Sequence, residues 1–89
     1  MKSIVTVIGK DRVGIIAAVC RALADHSVNI LDISQTILQE YFTMIMLVDT
    51  SRSDVDFASL SKVLEDLGAE MGLSIRIQRE DIFDAMHRI

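Results

Sequence analysis

The stretch that decides the fold is VIGKDRVGIIAAV, which runs from Val7 to Val19. A run of β-forming residues ends at Gly9, a short polar segment follows, and an apolar segment with helical spacing begins after Gly14. Two glycines permit backbone angles and close approaches that other residues resist, so the pattern predicts a strand, a tight loop and a helix. Free backbone N–H groups at such a helix start can bind a carboxylate or a phosphate.

The rest of the chain alternates segments of β character with segments of helical spacing. The predicted elements are strand 2–8, helix 13–26, strands 29–38 and 41–49, a helix capped by Ser53 and ended by Gly72, strand 73–78, and a short helix over 81–89. This order is two strand–helix–strand units, which is the α+β ferredoxin-like βαββαβ sandwich. We therefore expect one domain over residues 1–89, with its core in 1–80 and the C-terminal helix appended.

The hydrophobic pattern of the strands predicts their order in the sheet. The first and third strands are apolar on both faces and belong in the middle, while the second and fourth are apolar on one face and belong at the edges. This gives the antiparallel order 4-1-3-2, with both main helices on one face. The uncovered face would carry Ile4, Ile8, Phe42, Met44 and Met46, a patch rarely left in water. We expect a second copy, the C-terminal helix or both to cover it, and we predict a homodimer.

Composition argues against several classes of function. The 89 residues carry a net charge of −4 at pH 7, whereas a nucleic-acid surface needs a clustered basic excess. Cys20 is the only cysteine, so neither an internal disulfide nor a cysteine-based zinc site can form, and the two histidines lie far apart in the sequence. The sequence has neither an apolar run of membrane-spanning length nor a signal peptide. We expect a cytoplasmic protein without a metal, a cofactor or a membrane partner.

The loop between the glycines has the chemistry of a small zwitterion site. The helix start can bind a carboxylate, and the Asp11 carboxylate can bind an ammonium group. Asn29 begins the second strand, at the end of the sheet opposite the loop of its own chain. A two-fold axis that sets the first helices antiparallel would bring it to the loop of a second copy, so a site using both is an interface site. The alternative interpretation is structural: Asp11 caps the helix, and the glycines serve turn geometry and close packing.

The segment GKDRVGIIAAVCRALADHSVNILDIS, residues 9–34, resembles the ACT domain family in its G-x-D-x-x-G-I loop, its Ala-rich helix and the V-N-I that enters the second strand. SQTILQEYFTM, residues 34–44, and IFDAMHRI, residues 82–89, are similar to small stand-alone ACT proteins of unassigned function. The resemblance implies a non-enzymatic regulatory domain that binds an amino acid between paired domains. Because no catalytic domain is attached, it also implies a regulated partner protein. The ligand-site residues it implies are Asp11, Arg12, Val13, Gly14 and Asn29.

Two other functions remain open on the sequence. An acylphosphatase-like enzyme of the same fold would bind a phosphate with Arg12 and orient a water molecule with Asn29, although Asp11 would repel the phosphate. A protein-interaction module without a small ligand would dock through a sheet edge or the terminal helix. It accounts for everything except the chemistry of the loop.

Overall fold

In a computed structural model, which describes residues 1–81, the chain forms four strands and two helices. The elements are β1 (Lys2–Lys10), α1 (Ile15–Asp25), β2 (Asn29–Leu38), β3 (Tyr41–Asp49), α2 (Phe57–Met71) and β4 (Ser74–Arg79). The strands form one antiparallel sheet in the order β2-β3-β1-β4, which confirms the predicted order and the ferredoxin-like fold. The C-terminal helix predicted over 81–89 lies outside the described residues apart from Asp81.

One core lies between the sheet and the helices. It takes alternate residues from the strands and one stripe from each helix, so both helices cover the same face of the sheet. β1 contributes Val5 and Val7 from the centre of the sheet, and β4 contributes Ile75 and Ile77 with the inward spacing that the sequence predicts. Among residues 1–81, neither helix is long and apolar enough to cross a membrane.

The prediction for the faces of β3 is wrong. Phe42, Met44 and Met46 do not lie on the uncovered face but are buried under the helices, at 3%, 0% and 0% exposure. The uncovered face carries Ile45 instead, on the same face as Ile8 of β1. Both alternating sets of β3 are apolar, so alternation alone could not decide which set faces the helices. This face remains apolar, with Ile8 on it as predicted and with Ile45 in place of the three β3 residues.

Two helix starts also differ from prediction. α1 begins at Ile15 rather than at residue 13, and Ile15 lies in the core with Val19 and Leu23, whereas Ile16 is 38% exposed. α2 is capped by Asp56 rather than Ser53: the Asp56 carboxylate accepts a hydrogen bond from the Ser59 N–H at 2.7 Å. Gly72 ends α2 in the left-handed conformation, as predicted.

β2 is the most exposed element of the fold. The sequence predicts one buried side, but all of its residues are exposed except the half-buried Ile30. A bulge between Ile30 and Asp32 leaves Leu31 without a partner on β3. Ile33 and Ile37 lie opposite the buried Met46 and Phe42 of β3, yet they remain 40% and 53% exposed. The helices therefore stop short of this edge, and β2 presents an apolar strand to solvent.

Candidate functional site

The loop between β1 and α1 leaves the start of α1 open. Gly14 is the N-cap residue, with φ at +93°, and no side chain within residues 1–81 caps the helix. The first N–H groups of α1 therefore lack a side-chain acceptor there. Val13, immediately before the cap, is 99% exposed. The predicted structural role of Asp11 as a helix cap is wrong, since its carboxylate makes no such bond.

Backbone and side-chain hydrogen bonds hold this loop against its neighbours. The Asp11 N–H donates to the Glu40 carbonyl oxygen at 2.7 Å, which ties the loop to the turn between β2 and β3. Arg12 Nη1 donates to the carbonyl oxygen of Met71 at 3.2 Å, at the C-terminal end of α2. A guanidinium there suits the partial negative charge of the helix end. The Arg12 guanidinium thus forms a hydrogen bond within the fold, while the Asp11 side chain remains exposed.

Asn29 lies at the other end of the sheet. It is opposite Asp49 in β3, and Asp49 is opposite Lys2 at the start of β1, whereas the loop follows Lys10 at the end of β1. The structure thus brings residues 11–14 together and separates Asn29 from them within one chain. Within one chain, the acylphosphatase-like alternative therefore lacks a site that contains both Arg12 and Asn29.

Asn29 instead lines an open cleft that the sequence analysis did not identify. Its volume of about 660 Å³ falls within the range of about 300–1,000 Å³ that is usual for small-molecule sites. The cleft joins the end of α1, the start of β2, and the loop after β3. Its lining residues are Ala24, Ser27, Val28, Asn29, Asp49, Ser51 and Arg52. The sequence feature that could have pointed to this cleft is the polar segment TSRSD, residues 50–54. Its position beside Asn29 becomes visible only in the folded chain.

Two contacts beside this cleft join the end of α1 to the loop after β3. The imidazole Nδ1 of His26, at the end of α1, lies 2.9 Å from Asp54 Oδ1, and the Asp54 N–H donates to the His26 carbonyl oxygen at 3.2 Å. His26 is therefore a helix-end residue, as its position in the sequence indicates. Ser27 follows with φ at +59°, a left-handed conformation that favours glycine. A serine in this position places a hydroxyl group at the wall of the cleft.

Asp49 supplies negative charge to the cleft. Its Oδ1 accepts hydrogen bonds from the Ser51 N–H at 3.0 Å and from the N-terminal ammonium at 3.4 Å. The hydrogen bonds from the Ser51 backbone and side chain hold the pKa of Asp49 below its usual value. The carboxylate is therefore ionised at neutral pH. Within residues 1–81, no group of three His, Cys, Asp or Glu side chains is arranged to hold a metal ion.

Comparison with known proteins agrees with this architecture. The family model for the ACT domain matches residues 3–78, nearly the whole described chain. The chain belongs to the ACT domain family. The resemblance seen in the loop and the first helix is thereby confirmed. The similarity to small ACT proteins is confirmed as well, since relatives of about the same length match this chain from end to end.

Two such relatives and two solved structures illustrate the match. A UPF0237 protein of Clostridium acetobutylicum is 58% identical over 89 residues, covering 100% of both chains, and one of Bifidobacterium longum is 57% identical over 88 residues, covering 99% of this chain and 98% of its own. An ACT domain protein from Streptococcus pneumoniae is 45% identical, with a TM-score of 0.82 and 98% of each chain covered. The regulatory subunit of aspartate kinase from Thermus flavus is 26% identical, with a TM-score of 0.65; the match covers 88% of this ACT domain and 51% of that chain.

Proposed function

We propose that this ACT domain is a non-enzymatic regulatory protein that binds an amino acid or similar small effector between two copies of itself and signals to a partner protein. The observation that carries the proposal is the uncapped start of α1 beside the exposed Asp11. Backbone N–H donors can bind a carboxylate, and the Asp11 carboxylate can bind an ammonium group. A free amino acid has both groups within a few ångströms of each other.

A dimer formed through β2 supports this site. β2 is a ten-residue edge strand with one charged residue, Asp32, and with exposed Leu31, Ile33 and Ile37. Edge strands that remain unpaired usually carry lysine, proline or several charges, and β2 has none of these; its one protective feature is the bulge between Ile30 and Asp32. Pairing of β2 with β2 of a second copy would bury these side chains and continue the sheet.

The same pairing would complete the ligand site. In an antiparallel β2–β2 contact about a two-fold axis, Asn29 of one copy approaches the Leu38 end of the other. That end of β2 leads into the turn that holds the Asp11 N–H through Glu40. Asn29 of one copy would thus face residues 11–14 of the other. Each dimer would contain two such sites, and ligand binding would stabilise the dimer.

We expect a domain of this kind to act by regulating a separate protein. The structural relative from Thermus flavus is a regulatory subunit of aspartate kinase, although the likeness covers about half of that chain. The effector of our domain, and the protein it regulates, need not be the same as those of that subunit. We propose that the effector changes the strength of the dimer and that a partner protein binds one of the two states.

A thermal-shift screen of the twenty free L-amino acids tests the proposed function. A ligand that binds only the folded dimer raises the melting temperature by mass action. We expect at least one amino acid to raise it in a concentration-dependent way, and we expect Asp11→Asn to reduce the shift. A matched control is Asp66→Asn, because Asp66 is exposed on α2 and pairs only with Lys62, at 3.6 Å, among the described residues. If no amino acid stabilises the protein, an amino acid is not its effector, and the interaction module without a small ligand is favoured.

A second function has one observation in its favour. An open groove of about 640 Å³ runs between α2 and β4, along the edge of β4 that is unpaired within residues 1–81. Ser61 and Glu65 of α2 form one wall, and Ile75 and Ile77 belong to the other side. An extended segment of a partner protein could add to this edge as a fifth strand. The groove therefore suits a ligand-free interaction module, or the partner-binding surface of the regulatory domain.

A further inference from the structure

Arg52 is an unpaired cation in the cleft that contains Asn29. Its guanidinium makes neither a hydrogen bond nor an ion pair with any of residues 1–81. Asp49 lines the same cleft but forms no ion pair with Arg52. Here the Asp49 carboxylate binds the Ser51 N–H and the N-terminal ammonium instead. The five N–H donors of Arg52 therefore remain available to an acceptor from outside the chain.

We propose that Arg52 binds the carboxylate of the effector and thereby makes this ACT domain selective for ligands that carry one. The inference rests on the proposed function, because the cleft lies at the Asn29 end, which the β2–β2 dimer places against residues 11–14 of the other copy. A guanidinium binds a carboxylate through two parallel N–H···O bonds, which gives both affinity and direction. The Asn29 amide, in the same cleft, can donate a further bond to the same group.

The end of α1 places the Ser27 side chain in this cleft. Its φ of +59° is the usual left-handed conformation of a residue that follows a helix end, where glycine is the commonest residue. Its N–H donates to the Ala24 carbonyl oxygen at 3.0 Å, so the conformation is fixed by the end of α1. The chain thus keeps a hydroxyl group in the cleft with Asn29 and Arg52 where a glycine would fit the backbone better.

The three side chains together define the chemistry of the ligand. One cation, one amide and one hydroxyl offer hydrogen-bond donors to an anion, and Asp49 places a negative charge in the same cleft. An α-amino acid satisfies this arrangement, with its carboxylate between Arg52 of one copy and the start of α1 of the other, and its ammonium group toward the Asp11 or Asp49 carboxylate. The corresponding amine, which lacks the carboxylate, leaves Arg52 unpaired and gains nothing from it.

Isothermal titration with matched ligand pairs tests the inference. Each L-amino acid that stabilises the wild-type protein is compared with its decarboxylated amine, on the full chain and on Arg52→Gln, Arg52→Lys and Arg76→Gln. Arg76 is a matched control, because it is an exposed arginine on β4, at the opposite edge of the sheet. Loss of a charged hydrogen-bond partner predicts about tenfold weaker binding, or more, for Arg52→Gln, and a smaller loss for Arg52→Lys. Arg76→Gln should bind as the wild type does.

The outcomes separate this inference from the function on which it rests. If the wild type binds an amino acid and its amine equally well, or if Arg52→Gln binds as tightly as Arg76→Gln, Arg52 does not bind the carboxylate, although the domain still binds a ligand. If the wild type binds no amino acid, the proposed function and this inference both fail. The comparison of ligands on the wild-type protein gives a result even if Arg52→Gln does not fold.

Discussion

Ser3 is a fully buried polar residue whose hydroxyl group has no hydrogen-bond partner within residues 1–81. It lies in β1 between Val48 of β3 and Arg79 of β4, on the face that the helices cover. A buried hydroxyl without a partner loses its bonds to water and gains none in return. The residue therefore weakens the core in which it lies.

Ser3→Ala is expected to raise the free energy of unfolding by about 1 kcal/mol, because it removes an unsatisfied buried group. Urea unfolding measured by circular dichroism gives the value. Ser74→Ala is the matched control, since Ser74 is exposed on β4 and its replacement should change little. If Ser3→Ala lowers stability, the hydroxyl has a partner in solution and this account of the residue is wrong.

At the scale of the element, α2 depends on a glycine for its contact with β4. Gly68 is buried within the helix, and its carbonyl oxygen accepts a hydrogen bond from the Leu73 N–H at 2.7 Å. A methyl group on Gly68 would lie 2.7 Å from the Leu73 carbonyl oxygen, which belongs to the backbone and cannot turn aside. The helix can approach the strand this closely only because residue 68 has no side chain.

Gly68→Ala is expected to destabilise the protein by about 1–2 kcal/mol, since the cost of overpacking exceeds the gain in helix propensity. The neighbouring Ala69 is exposed, so Ala69→Gly changes helix propensity without a change in core packing. It should lower the free energy of unfolding by about 1 kcal/mol. Chemical denaturation of both variants makes the comparison. An increase in stability for Gly68→Ala would contradict the close packing of α2 against β4.

The N-cap of α2 makes stability depend on acid pH. Hydrogen bonds from the Ser59 side chain and backbone hold the pKa of Asp56 below its usual value. A carboxylate whose pKa is lower in the folded state stabilises that state above its unfolded pKa of about 3.9, and the stabilisation is lost as pH falls through the folded value. Asp56→Asn keeps a capping oxygen that does not titrate.

We therefore expect the stability of Asp56→Asn to fall less than that of the wild type between about pH 6 and about pH 3, where aspartate titrates. Asp56→Ser, another cap without a titrating group, should behave in the same way. Melting temperatures across this range give the measurement. Identical pH profiles for the three proteins would show that the carboxylate does not contribute through its charge.

The elements themselves were largely predictable, because their signals are local. Helical spacing, the left-handed glycine at 72 and the alternation of Ile75 and Ile77 depend on neighbours in the sequence. The faces of β3 were not predictable, since both alternating sets are apolar and the choice depends on packing against α1 and α2. The cap of α2 was misplaced for a similar reason: Ser53 and Asp56 both have capping side chains, and only the path of the loop selects Asp56.

At the scale of the whole molecule, the sequence suggests only one part of the proposed site. The loop over 11–14 lies on consecutive residues, so its glycines and charges lead to the hypothesis of a ligand site, which stays a prediction. The cleft with Ser27, Asn29 and Arg52 assembles three segments that are adjacent only in the fold. The separation of Asn29 from the loop within one chain did follow from the sequence, since the end of the sheet at which a parallel strand begins is set by topology. The pairing of Asn29 with the loop of a second copy stays a prediction.

The exposed apolar residues predict which surface would form the proposed dimer. Ile33 lies on the β2 edge and Ile8 on the uncovered sheet face, at 40% and 48% exposure. If two copies pair through β2, Ile33→Lys places a charge in the interface and should yield a monomer, while Ile8→Lys should remain a dimer. Sedimentation velocity distinguishes the two. A monomeric Ile8→Lys with a dimeric Ile33→Lys would assign the interface to the uncovered face.

The central claim is that an amino acid binds where residues 11–14 of one copy meet Asn29 of another. The most direct measurement is a titration of the ¹⁵N-labelled protein with each L-amino acid that stabilises it, followed by the chemical shifts of its backbone amides. The amides of residues 11–14 and of Asn29 lie at opposite ends of the sheet within one copy. If the claim is correct, their chemical shifts change together and give a single affinity. Shifts at only one of these ends, or along the groove between α2 and β4, would contradict it.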